Sequence, residues 1–210
     1  VWDIPVLGTF NLHASLLPDY RGAAPINHAI INGETKTGVT TFLIDEQIDT
    51  GSILLKEEVL IESNDTAGIL HDKLMHVGAG LVTETVDRLV KGDIVPQPQI
   101  QEADKPLKPA PKINREFCRI DWNSDSKSIY NLIRGLSPYP GAFTTVRTSK
   151  DALQLKFVEV EWHQDIKAAS SYPAIDTDGK RYMNILLSDG TLSLHKLQLQ
   201  GKPVMEIDVL

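Results

Sequence analysis

Between Pro96 and Pro111 the chain carries five prolines within sixteen residues: Pro96, Pro98, Pro106, Pro109 and Pro111. Each lacks an amide donor and holds φ at about −65°, so neither a helix interior nor a central strand runs through this stretch. A segment of this kind reads as a linker. It divides the 210 residues into an earlier and a later part, each of which must close a core of its own. The expected organisation is an α/β unit over residues 1–95, a proline-rich basic linker over 96–118, and a small β-barrel over 119–210.

The patterns on either side support that division. In the first part, Val6–His13 reads as a short buried strand, and Ala24–Ile31 as a helix closed by Asn32 and Gly33. Gly38–Ile44 is β-branched and apolar, and Ser52–Ile61 follows as another strand. A long helix capped at Asn64, Asp65 or Thr66 reaches Val90, with Ile69, Leu70, Leu74, Val77, Leu81 and Leu89 as its apolar stripe and Gly92 ending it. In the second part, Ser126–Leu136 reads as a helix, followed by a stiff Pro-Tyr-Pro-Gly turn. Strands are expected over Gln154–Trp162, Met183–Leu187 and Thr191–Gln198, with tight turns at Asp178-Gly179 and Asp189-Gly190. Three strands and two helices make a thin core for the first part, so either this unit is unusual or its N-terminal half is missing.

Charge is uneven. The chain carries −7 overall, which argues against wholesale nucleic-acid binding, yet residues 105–150 hold nine Lys/Arg against three Asp/Glu. A basic segment inside an acidic chain suits contact with phosphates, and it equally suits a solvated linker. No apolar run approaches the roughly 18 residues of a membrane span. A single cysteine, Cys118, leaves no internal disulfide and suits a reducing compartment, so a cytoplasmic location is expected.

Asn11 and His13 mark the end of the first expected strand. A spacing of two in an extended chain points both side chains to one side. An amide that donates and an imidazole that donates, accepts or carries charge suit addition to a carbonyl, where negative charge develops on oxygen. A carboxylate that would orient such a histidine comes from Asp45, Glu46 or Asp49, and spacing alone does not choose among them. Gly51 allows a sharp turn beside Asp49. A capped turn is the competing structural explanation for Asn11 and His13. A metal site from His13, His28 and Asp49 lacks a recognisable ligand spacing. Ser15 lacks the glycines of a nucleophile elbow, and no glycine-rich phosphate loop is present.

Asn11-Leu-His13, Ser15-Leu-Leu-Pro18, Tyr20-Arg-Gly-Ala-Ala-Pro25 and Ile48-Asp49-Thr-Gly51 together resemble the formyltransferases that use 10-formyltetrahydrofolate. Arg21-Gly-Ala-Ala-Pro-Ile26, Thr37-Gly-Val-Thr40, Leu132–Ala142 and Gln200–Met205 resemble the methionyl-tRNA branch of that family. The resemblance implies part of a Rossmann-like catalytic domain, with roughly a hundred further residues upstream, followed by an oligonucleotide-binding-type barrel. It implies that the amine of initiator methionyl-tRNA attacks the formyl carbon of 10-formyltetrahydrofolate.

By the same resemblance, Asn11 and His13 would stabilise the oxyanion, and Asp49 would orient His13 and help move the proton. Ser15, Leu16, Leu17, Pro18, Arg21 and Gly22 would meet the folate, with a cis Leu17–Pro18 bond at a tight turn. Lys108, Lys112, Arg115, Arg134 and Arg147 would meet tRNA phosphates, although Arg134 could instead pin the neighbouring Pro-Tyr-Pro turn. No metal and no membrane are expected, and the enzyme would act as a monomer, with residues 1–210 alone inactive or nearly so. Two other readings stay open: a sugar-amine formyltransferase, and a non-catalytic RNA-binding module.

Overall fold

The computed structural model describes residues 4–100, 106–147, 152–167 and 169–207. They form two compact units. The first runs through Ala29, Glu34–Ser63 and Ile69–Ile113, and the second takes Ile30–Gly33, Asn64–Gly68 and the chain from Asn114 onward.

Unit 1 contains β1 (Phe10–His13), β2 (Arg21–Gly22), most of α1 (Pro25–Ile31), β3 (Lys36–Leu43), β4 (Ile53–Leu60), nearly all of α2 (Ala67–Lys91) and β5 (Pro109–Ala110). Its main sheet has the order β1-β3-β4, and both pairings are antiparallel. β3 is central because its middle is buried on both faces, as the β-branched run Thr37-Gly-Val-Thr-Thr-Phe42 requires. Two of its buried hydroxyls are satisfied. Thr40 Oγ1 donates to the Ser15 carbonyl at 2.7 Å, and Thr41 Oγ1 lies 2.9 Å from Thr85 Oγ1 on α2. Leu17, Phe42 and Ile53 form an apolar cluster against the sheet. α2 turns Leu70, Leu74, Leu81 and Thr85 inward. It stops at Gly92 (φ +68°), where the Gly92 and Asp93 amides donate back to Leu89 and Arg88 carbonyls.

Three expectations need correction here. The first strand is shorter than Val6–His13: Val6 and Leu7 are exposed, and Gly8 (φ +80°) closes a turn onto the Pro5 carbonyl. Ile69 lies on the exposed side of α2 and leaves the apolar stripe. The proline segment, at its described residues, is no free linker. Gln97 exchanges two backbone hydrogen bonds with Ile53, and β5 pairs in parallel with β2, Arg21 opposite Pro109 and Gly22 opposite Ala110. Proline blocks helix and central strand but not an extended strand at an edge, so these described residues lie along unit 1.

Gly51 follows the tight turn after β3. A Cβ there would sit 1.6 Å from the Leu43 carbonyl oxygen, a clash with backbone that no rotamer relieves. Gly51→Ala is therefore expected to cost about 3 kcal/mol or more, at the upper end for single substitutions. Denaturant unfolding of the variant against the parent checks this.

Unit 2 holds α3 (Ser126–Gly135) and the strands β6 (Ala142–Arg147), β7 (Ala152–His163), β8 (Ala174–Thr177), β9 (Met183–Leu187), β10 (Gly190–Leu199) and β11 (Val204–Glu206). They make an antiparallel half-barrel of order β6-β7-β10-β9-β8, with β11 on β10. β6, β8 and β11 were not apparent from the sequence. β8 and β11 are short, and β6 follows directly on a proline turn, so none has a long alternating run. Asp125 caps α3 by accepting the Ser128 amide at 2.8 Å, and these hydrogen bonds hold its carboxyl below the usual carboxylate range. α3 buries Ile129, Tyr130 and Ile133, while Phe157, Leu192, Leu194 and Leu197 fill the sheet side of the core.

Candidate active site

Asn11 and His13 share one face of β1, opposite Phe42 and Thr40 of β3. The Asn11 side chain is oriented by its own strand: Oδ1 accepts the Leu12 amide at 2.9 Å. That bond directs the amide nitrogen, a donor, away from the backbone on an exposed residue. His13 is only 7% exposed, and its ring stands edge-on to Phe42 at 6.4 Å.

Two oxygens face the His13 ring. Nε2 donates to the Tyr20 carbonyl at 2.8 Å, which fixes a proton on that nitrogen because a carbonyl only accepts. Nδ1 faces Asp49 Oδ2 at 3.7 Å, with the carboxylate side chain 14% exposed. That distance exceeds a hydrogen bond, so Nδ1 is near a negative charge without being closed onto it. Asp49 Oδ2 is held in turn by the Gly22 amide at 3.0 Å.

The choice among the three carboxylates follows from the turn. Asp45 Oδ1 accepts the Gln47 amide and the Thr50 hydroxyl, so it builds the turn itself. Glu46 is exposed. Asp49 alone of the three is paired with the imidazole. His28 lies apart, its Nε2 at 3.0 Å from the Pro111 carbonyl, and among the described residues no three His, Cys, Asp or Glu are placed to hold a metal ion. Cys118 is buried, and burial pushes its thiol up from the usual range, which disfavours the nucleophilic thiolate.

The loop after β1 divides the expected folate contacts. Ser15 and Leu17 have no exposed surface. Ser15 Oγ donates to the Asp19 carbonyl, the Leu17 amide donates to Thr40 Oγ1, and the Leu17 carbonyl accepts from Lys56 Nζ. The expected ligand contact at these two side chains is therefore corrected: they support the loop from within. Leu16, Pro18 and Arg21 remain part-exposed, the Leu17–Pro18 bond is cis, and Gly22 is committed to Asp49 through its amide.

Of the expected phosphate contacts, Arg134 is only 7% exposed. Its guanidinium donates to the Asp65 carbonyl at 3.0 Å and to Asn131 Oδ1 at 2.9 Å, and burial lowers its pKa. A phosphate contact needs an exposed guanidinium, so this buried arginine acts in the structure, holding Asp65 and Asn131. Lys108 bonds Glu34 through Nζ. Lys112, Arg115 and Arg147 are exposed, Arg115 reaching Gln154 at 2.9 Å.

One residue that sequence reasoning missed is Gln99. Its Nε2 donates to the Asp49 and Gly51 carbonyls at 2.9 and 2.8 Å, and its Oε1 accepts from Arg21 Nε and Nη2 at 3.1 and 2.6 Å. A glutamine among prolines carries no local signal for contacts roughly fifty and eighty positions away.

Comparison with known proteins fits this arrangement. Residues 1–86 match the model of the formyl transferase family, and residues 112–210 match that of the formyl transferase C-terminal domain. A methionyl-tRNA formyltransferase of Bacteroides fragilis is 47% identical over 213 aligned residues, covering 100% of this chain and 65% of that protein. One from Parabacteroides distasonis is 50% identical, covering 99% of this chain and 64% of that protein. The chain thus spans a little under two thirds of the length of these relatives. Among solved structures, the N-formyltransferase of Helicobacter canadensis, in complex with folinic acid and dTDP-3-aminofucose, superposes with a TM-score of 0.69 at 24% identity, over 88% of this chain and 65% of that one. That last likeness speaks to fold alone, whereas the two family models between them take in most of the sequence and the residues around His13. The chain belongs to the formyl transferase family.

Proposed function

We propose that this chain carries the catalytic residues of a methionyl-tRNA formyltransferase, which moves a formyl group from 10-formyltetrahydrofolate to the α-amine of initiator methionyl-tRNA in the cytoplasm. The observation that carries the reading is the pairing of His13 with Asp49 beside the outward amide of Asn11. The 47–50% identity to methionyl-tRNA formyltransferases supports the choice of substrate.

The donor set fits formyl transfer. As the amine nitrogen attacks the formyl carbon, the carbonyl electrons move to oxygen. Asn11 Nδ2 donates to that oxygen, and His13 Nδ1, not closed onto Asp49, donates beside it. Asp49 stabilises the imidazolium, and it assists the loss of the amine proton, which passes through water to N10 as the C–N10 bond breaks. Tyr20 holds the opposite nitrogen of His13, so the ring presents Nδ1 in one orientation. Leu16, Pro18 and Arg21 border the folate, with Ser15, Leu17 and Gly22 shaping the loop behind them. The residues up to about 95 form the catalytic part and those from 119 the tRNA-binding part. Lys112, Arg115 and Arg147 contact phosphates there and in the segment between.

The test uses the protein at the full length of its relatives with 10-formyltetrahydrofolate and either initiator methionyl-tRNA or a nucleotide-linked amino sugar. Methionyl-tRNA is expected to be preferred by about 100-fold or more in kcat/KM. A preference for the amino sugar would instead assign a sugar-amine formyltransferase. Binding of tRNA without any formyl transfer would assign an RNA-binding module.

A further inference from the structure

Among the described residues, only two outside glycine adopt positive φ: Tyr20 (+62°) and Asp49 (+55°). Their oxygens are also the two that face the His13 ring, Tyr20 through its carbonyl and Asp49 through its carboxylate. Non-glycine residues rarely enter this region, and they stay there where surrounding contacts over-determine them. In both cases such contacts come from the proline segment.

Gln99 bonds the Asp49 and Gly51 carbonyls through Nε2 and takes Arg21 on Oε1, so it clamps the Asp49 turn to the start of β2. Lys108 clamps Tyr20. The Lys108 carbonyl accepts the Tyr20 amide at 2.6 Å, and the Lys108 amide donates to Asp19 Oδ1 at 3.0 Å. Lys108 Nζ bonds Glu34 Oε1, which also accepts the Tyr20 hydroxyl at 2.6 Å. The ammonium lies 6.0 Å from the centroid of the Tyr20 ring. Neither Gln99 nor Lys108 bonds His13 itself. Each holds one of the groups between which His13 is set.

We propose that Gln99 and Lys108 are positioning residues, and that the proline segment is a strap fixing the two oxygens that orient His13. The proposal rests on the reading of His13 given above. It explains why the described parts of this segment, residues 96–100 and 106–111, lie along the catalytic loop: proline-stiffened backbone presents side chains at fixed points with little entropy left to lose.

Gln99→Leu, Lys108→Met and Lys108→Arg, made in the protein at the full length of its relatives, test it. Gln99→Leu and Lys108→Met are expected to lower kcat by about 10- to 100-fold with KM for both substrates within about threefold, as misplacement of a reacting group does. Lys108→Arg, which keeps a cation for Glu34, is expected to stay within about threefold of the parent. Nitrogen-15 spectra of the imidazole give a readout independent of turnover: the resonance of Nε2, which donates to the Tyr20 carbonyl, is expected to shift and broaden in Lys108→Met as that bond loosens. Parental kcat and parental His13 resonances in both Gln99→Leu and Lys108→Met, with only a lowered melting temperature, would overturn the proposal. If either fails to fold, Tyr20→Phe, which removes the hydroxyl bond to Glu34 and keeps the ring, decides by the same readouts. His13→Ala separates the two levels. Full activity in that variant sinks the reading of His13, whereas an inactive His13→Ala beside fully active strap variants sinks the strap alone.

Discussion

His13→Ala, made in the protein at the full length of its relatives, is expected to lower the rate of formyl transfer by about 10²- to 10⁴-fold, the range for loss of a positioned acid–base group. The ring is buried between the Tyr20 carbonyl and the Asp49 carboxylate, and both are left facing a void when it is removed. Losing the donor to a buried carbonyl costs stability as well, about 1–3 kcal/mol. The two effects are separable. Single-turnover formylation of methionyl-tRNA reports the chemical step, and a denaturation curve gives the fraction folded at the assay temperature. His13→Gln offers a sharper contrast, since it retains an amide donor without a group that gains a proton. It is expected to recover part of the stability and little of the rate. Turnover of His13→Ala within a few-fold of the parent would remove His13 from the mechanism.

Asn11→Ala is the second large effect, about 10²- to 10³-fold in kcat, as for removal of a donor to a developing oxyanion. The physical position differs from that of His13. Asn11 is exposed, and the bond shown for its side chain is to the amide of the next residue, so truncation is expected to shift stability by no more than about 0.5 kcal/mol. Because the oxygen becomes strongly negative only as the bond forms, KM for both substrates is expected to stay nearly constant while kcat falls. Asn11→Asp preserves the shape and replaces the donor with a like charge, so it is expected to be slower than Asn11→Ala. Equal rates for Asn11→Asp and the parent would show that this side chain donates nothing to the transition state.

The parts of this chain that were legible in advance share a short range. α3 lies where the Ser126–Leu136 pattern placed it, with its end set one residue earlier, and β9 coincides with Met183–Leu187. Hydrophobic periodicity and capping act within four residues, so a window of sequence contains their cause. The strands of unit 1 were found but their ends moved, most at β1, where Val6 and Leu7 are apolar yet exposed. The apolar Ser15-Leu-Leu-Pro18 stretch concealed a different distinction. Leu17 is buried with Phe42 and Ile53 while Leu16 stays part-exposed, a choice made by packing against β3 and β4.

By itself the sequence determined the type of most elements and the pair Asn11 and His13 two residues apart on one strand face. Family resemblance pointed to Asp49, but spacing left Asp45 and Glu46 level with it. Only the tertiary structure separated them, by spending Asp45 on its own turn, leaving Glu46 exposed and bringing Asp49 to 3.7 Å from the ring. It also turned the expected linker into a strap, since Gln99 meets Arg21 across 78 positions and Lys108 meets Asp19 across 89. Such contacts leave no mark in local periodicity: the free energy that selects them comes from closing long loops over a shared surface, and it exists only once that surface has formed.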